Sequence, residues 1–166
     1  VVVDIDPGIR RTGVASPEAA QALTQRIAAA EMLRFAGVQY YCGVQQHIES
    51  YADRRAAIVE RTDYLRGIVD ALERVDHKPE VVTGGGTGTH HIDGELGVLT
   101  ELQAGSYVFM DKQYNDCDLD GGGRKPFETS LFVDAHVISA NSASMATIDA
   151  GFKALSTDGG LPVVVD

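Results

Sequence analysis

Residues 82–114 read VTGGGTGTHHIDGELGVLTELQAGSYVFMDKQY. An apolar, β-type run, Glu80 to Thr83, breaks here into a glycine-threonine loop. A second glycine-containing run, GSYVFMD from Gly105 to Asp111, follows a short way on and reads as another strand, Ser106 to Met110. Glycines let a backbone close tightly around a ligand and present its amides to an anion, so this layout suggests a phosphate cradle. The expected donors are bare amides at Gly84, Gly85, Gly86 and Gly88, with the hydroxyls of Thr87 and Thr89 beside them. No Gly-Lys-Ser/Thr follows the glycines, so this is not a nucleotide P-loop. A glycine loop alone suits an ordinary turn equally well, and the flanking segments have to decide.

Upstream, Val1 to Asp6 is a short apolar run suited to a buried strand. Ser16 offers an N-cap with Pro17 at the first helical position, and an alanine-rich helix is expected to about Ala30. Leu33 to Tyr41 reads as the next strand. Helical spacing then returns from Tyr51 to Val75, where Ala57, Ile58, Tyr64, Leu65, Ile68, Val69 and Leu72 recur with Arg and Asp between them. This strand–helix alternation predicts a parallel α/β sheet. Candidate functional residues follow strand ends, as in a (β/α)8 barrel and equally in an open doubly wound sheet. From about Gly121 the helical period is lost and a GGGRKP linker leads into SLFVDAHVIS, which reads as the start of a β-rich second domain spanning 121–166, after an α/β domain spanning 1–120.

The chain has 166 residues, enough for a well-buried core, and a formal net charge of −10 with no basic cluster, which argues against a nucleic-acid partner. No apolar run reaches the ~20 residues of a membrane-spanning helix, so no membrane partner is expected. Cys42 and Cys117 lie far apart without metal-type spacing. They read as free thiols of a reducing compartment, with the cytoplasm as the default location. The first and last residues fall in strand-like runs (VVVDID and VVVD), which predicts an internal piece of a longer enzyme.

Several side chains invite chemistry. Arg11 sits in Asp6-Pro-Gly-Ile-Arg-Arg-Thr-Gly13, where flanking glycines permit a tight turn that aims a guanidinium into a cleft; the plain alternative is a loop arginine paired with a carboxylate. Tyr40 and Tyr41 end a strand, where a ring stacks on a flat ligand or simply belongs to the core. His47 is a natural general base, though a lone loop histidine is as often structural. His90 and His91, adjacent in what reads as a loop, converge poorly on one metal ion. Lys78, Lys112, Lys125 and Lys153 lack the desolvated setting of a Schiff-base lysine.

The stretches DIDPGIRRTGV, GVQYYCGVQQHIESYADR, VVTGGGTGT, TELQAGSYVFMD and IDAGFKALSTDGGLP together resemble the D-threonine aldolase and D-serine dehydratase-like family, pyridoxal-phosphate enzymes of the alanine racemase fold. The QQH and ESYADR run is similar to the 3-hydroxy-D-aspartate aldolases of that group. The resemblance covers almost the whole chain. It implies the C-terminal half of an alanine racemase-type (β/α)8 barrel followed by the start of a β-rich C-terminal domain.

By that resemblance, Arg11 lies beside the cofactor's phenolic oxygen and Tyr41 against its pyridine ring. The loop Thr83, Gly85, Gly86, Thr87, Gly88 and Thr89, with Gly105 and Ser106, holds the phosphate, and Gln103 faces the pyridine nitrogen. His47 matches a histidine near the substrate β-hydroxyl, and Asp6 and Tyr107 are supports. The family's Schiff-base lysine and divalent-metal ligands fall outside this chain, so the 166-residue piece alone is expected to be inactive. The implied reaction is retro-aldol cleavage of a small D-β-hydroxy-α-amino acid by a homodimer using pyridoxal phosphate and a divalent ion, Mg or Mn. Dehydration on the same scaffold, or a non-catalytic fragment, are the alternatives.

Overall fold

The alternation of residue types in the β-runs places apolar and polar side chains on opposite faces of a sheet, and that division organises the molecule. In a computed structural model, which describes residues 1–165, β1 (Val2–Asp4), β2 (Gly37–Tyr40), β3 (Val81–Gly84) and β4 (Glu101–Leu102) form one parallel sheet in that order. One row of register partners, Val3–Val38–Val82, is buried. The next row, Asp4–Gln39–Thr83–Glu101, is polar.

The apolar row meets α1 (Pro17–Ala28) and α2 (Tyr51–Glu73). Ser16 caps α1 by accepting from the Ala19 amide at 3.2 Å, with Pro17 behind it, as expected. Ser50 caps α2 through the Asp53 amide at 3.3 Å. The stripe Ile58, Leu65, Ile68 and Leu72 runs at helical spacing against Val3, Ile5, Val38 and Val82. Each such side chain contributes on the order of 1.5–3 kcal/mol by leaving water. Tyr40 belongs to this core, its hydroxyl donating to the Arg61 carbonyl at 3.0 Å, whereas Tyr41 falls on the opposite, open face.

Two expected strands are corrected. The second begins at Gly37 rather than Leu33, because Leu33 closes a turn on Ala30 and is half exposed. Ser106 to Met110 is not a strand: β4 is the two-residue Glu101–Leu102, and Ser106–Phe109 is a 3₁₀ turn. The run SYVFM has β-type composition, but Val108 N donates back to Gly105 O at 3.2 Å and Tyr107, Val108 and Phe109 are exposed. Composition measures fit to a half-buried pleated surface, and the local turn wins where that surface is missing.

After α3 (His90–Leu96) and α4 (Lys112–Asn115), a smaller cluster of Met110, Tyr114, Cys117 and Leu119 packs with Phe127. Thr129 and Ser130 bond back to Asn115 and Met110. An antiparallel hairpin, β5 (Val137–Ser142) with β6 (Met145–Ile148), follows, its Val137, Ile138, Met145 and Ile148 exposed. Among the described residues no helix is long and apolar enough to cross a membrane.

Candidate active site

The open face of the sheet gathers polar side chains because register partners project to the same side. Gln39 Nε2 donates to Asp4 Oδ1 at 3.3 Å, and Thr83 Oγ1 donates to Glu101 Oε1 at 2.7 Å while accepting from Gln103 Nε2 at 3.1 Å. Asp6 shapes the adjoining turn by accepting from the Gly8 and Arg10 amides at 2.8 and 3.0 Å, and the Arg10 amide is the leading cause holding its carboxyl below the usual range. Gly8 and Gly13 take positive φ, and a Cβ on Gly13 would lie 2.6 Å from the Asp6 nitrogen. The turn so formed puts Arg11 into a shallow cleft shared with Asp4, Asp6, Gln39 and Tyr41. The structure thus brings Arg11 and Tyr41 together, on the face that also carries Thr83 and Gln103.

The glycine-threonine loop differs from its sequence reading. Thr83 through Thr89 is entirely buried, and two of its amides are not bare. Gly86 N donates to Thr89 Oγ1 at 3.2 Å and Gly88 N to Gln46 Oε1 at 2.9 Å. A Cβ on Gly84 would lie 2.1 Å from the Tyr40 carbonyl oxygen, and one on Gly88 2.0 Å from that of Gln46. These glycines are required by the protein's own packing. Gly85, at φ +66°, sits over Asp93. Burial raises the pKa of Asp93 first, opposed by the hydrogen bond from Thr89 Oγ1 at 2.6 Å.

Gly105 and Ser106 are the exposed part of the predicted cradle. They are tied to the loop by Tyr107 N, which donates to Thr87 Oγ1 at 3.1 Å. Gly105 has φ −132°, and a Cβ there would meet no protein atom within 4 Å. No neighbouring protein atom demands a glycine at this place, and a bare backbone leaves room for a ligand to approach. The residues present therefore fit a phosphate-bearing aromatic group: an open backbone turn at Gly105–Ser106, a rigid loop behind it, and a tyrosine and an arginine in one cleft.

His47 ends the 3₁₀ turn Gly43–His47, and its ring packs on Tyr114 with centroids 4.3 Å apart. Its Nδ1 is buried without a hydrogen-bond partner, and desolvation lowers the ring's pKa, with Asp111 opposing. Desolvation therefore favours the neutral form of the imidazole. Tyr114, which composition alone does not single out, is buried; that burial raises its pKa, while a hydrogen bond with Ser106 opposes. Tyr114 therefore seats the His47 ring against the second core cluster.

Arg54 was also not anticipated. It is fully buried and donates to the carbonyls of Ile48, Glu49 and Asp118, fastening the chain just beyond His47 to the segment behind Tyr114. Its signal in the sequence is an arginine on the stripe that continues through Ile58, Thr62 and Leu65.

The remaining candidates point elsewhere. His90 and His91 open α3 rather than a loop: the His90 ring meets the Thr87 carbonyl and His91 meets the Tyr51 hydroxyl. Among the described residues no group of three or more His, Cys, Asp or Glu gathers to hold a metal ion. Lys78, Lys112, Lys125 and Lys153 are all exposed. Cys42 and Cys117 are free and buried, and burial pushes the Cys42 thiol up to about 12.

No protein-family model matches the chain. It is 40% identical over 168 residues to 3-hydroxy-D-aspartate aldolase of Paracoccus denitrificans (strain Pd 1222), covering 99% of this chain and 43% of that protein. It is 35% identical over 164 residues to D-threonine aldolase of Arthrobacter sp., with the same coverage. The crystal structure of D-threonine aldolase from Filomicrobium marinum superposes with a TM-score of 0.92 at 40% identity, over 98% of this chain and 44% of that one. Alanine racemase from E. faecalis, at 13% identity and TM-score 0.63 over 84% of this chain and 34% of that one, shares the fold. The chain spans less than half the length of the relatives it matches. Along nearly its whole length it is a homologue of the D-threonine and 3-hydroxy-D-aspartate aldolases, built on the alanine racemase-type fold.

Proposed function

We propose that the protein is a lyase that cleaves D-β-hydroxy-α-amino acids, D-threonine or 3-hydroxy-D-aspartate, to glycine and an aldehyde, with pyridoxal phosphate as cofactor. The observation that carries this reading is the meeting of Arg11 and Tyr41 in one cleft, on the face that presents Thr83 and Gln103. The aldolase relatives supply the reaction class.

When bound, pyridoxal phosphate supplies the electron sink for the pair released as the Cα–Cβ bond breaks. Gly105 and Ser106 would receive its phosphate, with Thr83, Gly85, Gly86, Thr87, Gly88 and Thr89 as the loop that fixes this turn. Tyr41 would face its ring, and Arg11 and Gln103 would bind its polar atoms. The planar guanidinium of Arg11, with its fork of donors, would hold an anionic oxygen. His47, its neutral form favoured by desolvation, accepts the proton of the substrate β-hydroxyl. Tyr114 and Arg54 keep that ring in place. The proposed dependence on a divalent ion, Mg or Mn, has no ligand set among the described residues.

The same reading takes residues 1–120 as the barrel portion and 121–166 as the beginning of a β-rich domain, in a cytoplasmic homodimer acting on a small amino acid. The test is a product assay on the full-length enzyme, of which these 166 residues are read as a piece, with D-threonine and with 3-hydroxy-D-aspartate, with and without a chelator. Glycine formation, abolished by the chelator, is expected. A keto acid with ammonia would replace the aldolase by a dehydratase. His47→Ala should lower kcat about 10²-fold or more, the scale of a lost general base, and near-native turnover would remove His47 from that role.

A further inference from the structure

We infer that Gln46 is a positioning residue that locks the glycine-threonine loop to the turn carrying His47, so that the phosphate end of the site and its proton acceptor are set as one rigid unit. The inference rests on the function proposed above. Gln46 is 1% exposed, immediately precedes His47, and reaches across to a loop some forty residues away.

Every polar atom of its side chain is used. Oε1 accepts from Gly88 N at 2.9 Å, and Nε2 donates to Cys42 O at 3.2 Å and to Thr89 Oγ1 at 3.1 Å. The amide orientation is fixed by these partners, since Gly88 N requires an acceptor and Cys42 O a donor. Thr89 Oγ1 is saturated in turn, accepting from Gly86 N and from Gln46 and donating to Asp93 Oδ2 at 2.6 Å. The loop is moulded to the same side chain: a Cβ on Gly86 would lie 2.5 Å from Gln46 Oε1. Loop glycines and glutamine are therefore one packing unit. A buried network with every member satisfied is rigid, and a network deprived of one member leaves several groups unpaired.

Two consequences separate this from a merely structural role. Loosening Gln46 must reach the exposed Gly105–Ser106 turn, because Thr87 Oγ1 in the locked loop anchors Tyr107 N. It must also reach His47, whose turn loses the Gln46 bonds to Gly88 and Thr89 of that loop; Tyr114 and Asp111 are the titratable groups that face the ring.

The experiment is a cycle, in the full-length enzyme, of wild type, Gln46→Ala, Gly86→Ala and the double variant. Gln46→Glu is added as a size-matched change that keeps an acceptor for Gly88 N and loses both donors. Thermal midpoints, pyridoxal phosphate affinity by absorbance titration, and the His47 ring titration by NMR are read for each. Gly86→Ala should displace the glutamine amide and so copy Gln46→Ala, with the double variant no worse than either. Gln46→Glu should weaken pyridoxal phosphate affinity about tenfold, the scale of a lost buried hydrogen bond, and Gln46→Ala, which adds no charge beside the ring, should move the His47 titration up toward 6.5. Additive losses in the midpoints, wild-type affinity in Gln46→Glu, or a wild-type His47 titration in Gln46→Ala, would overturn the lock. If the wild-type full-length enzyme bound no pyridoxal phosphate, the proposed function would fall, and the midpoint cycle and His47 titration would still judge the lock.

Discussion

The two glycine segments of this site look alike in sequence and are opposite in physics. In the Thr83–Thr89 loop the missing side chains are demanded from within, since Gly84 and Gly88 lie against the backbone carbonyls of Tyr40 and Gln46. At Gly105 the space where a side chain would stand is empty of protein and φ is negative, at −132°. The first segment is a buried wall, and the second is the surface that wall supports. A glycine-rich motif thus mixes residues that hold the fold with residues that leave room for a ligand.

The sharpest way to break this contrast is Gly88→Ala, whose Cβ would stand 2.0 Å from a backbone oxygen that cannot swing aside. Overpacking of this kind is expected to cost on the order of 3 kcal/mol, read by chemical denaturation. A native-like midpoint would show that the loop has slack. Thr89→Val is expected to cost about 2 kcal/mol, because a near-isosteric side chain strips Gly86 N, Gln46 Nε2 and Asp93 Oδ2 of their shared partner. Gly105→Ala should leave stability within about 0.5 kcal/mol yet lower pyridoxal phosphate affinity several-fold. A stability loss as large as that of Gly88→Ala would erase the distinction between the two segments.

A smaller effect concerns pH. Burial depresses the folded-state pKa of His47 below its ordinary 6.5, so between the two values the unfolded chain binds more protons than the folded one. Stability should therefore fall as pH drops from 6.5 toward the folded-state pKa, and level off below it. His47→Gln should flatten that slope in denaturation curves collected across the range, and an unchanged slope would remove the histidine from the account.

Local pattern carried much of this protein. The Ser16-Pro17 helix start and the apolar stripe of α2 are period and capping effects, set by residues within a few positions of one another, whereas the sheet's division into a buried and an open face came from the structure. That division sends Tyr40 to the core and Tyr41 to the open face. What the pattern misread was SYVFM. It has a strand's composition, but the decisive fact is which backbone lies alongside, and Ser106–Phe109 turns on itself instead.

The network around the site was invisible for the same reason. Gln46 meets Thr89, Arg54 meets Asp118 and Thr87 meets Tyr107, all pairings between distant parts of the chain. By itself the sequence determined the parallel α/β alternation and the residue types at the strand ends. Only the tertiary structure decided which glycines are packed shut, which one is open, and which buried polar groups tie the histidine to the loop. Backbone period is a local property, whereas the satisfaction of a buried hydrogen-bonding group depends on whatever the fold brings beside it.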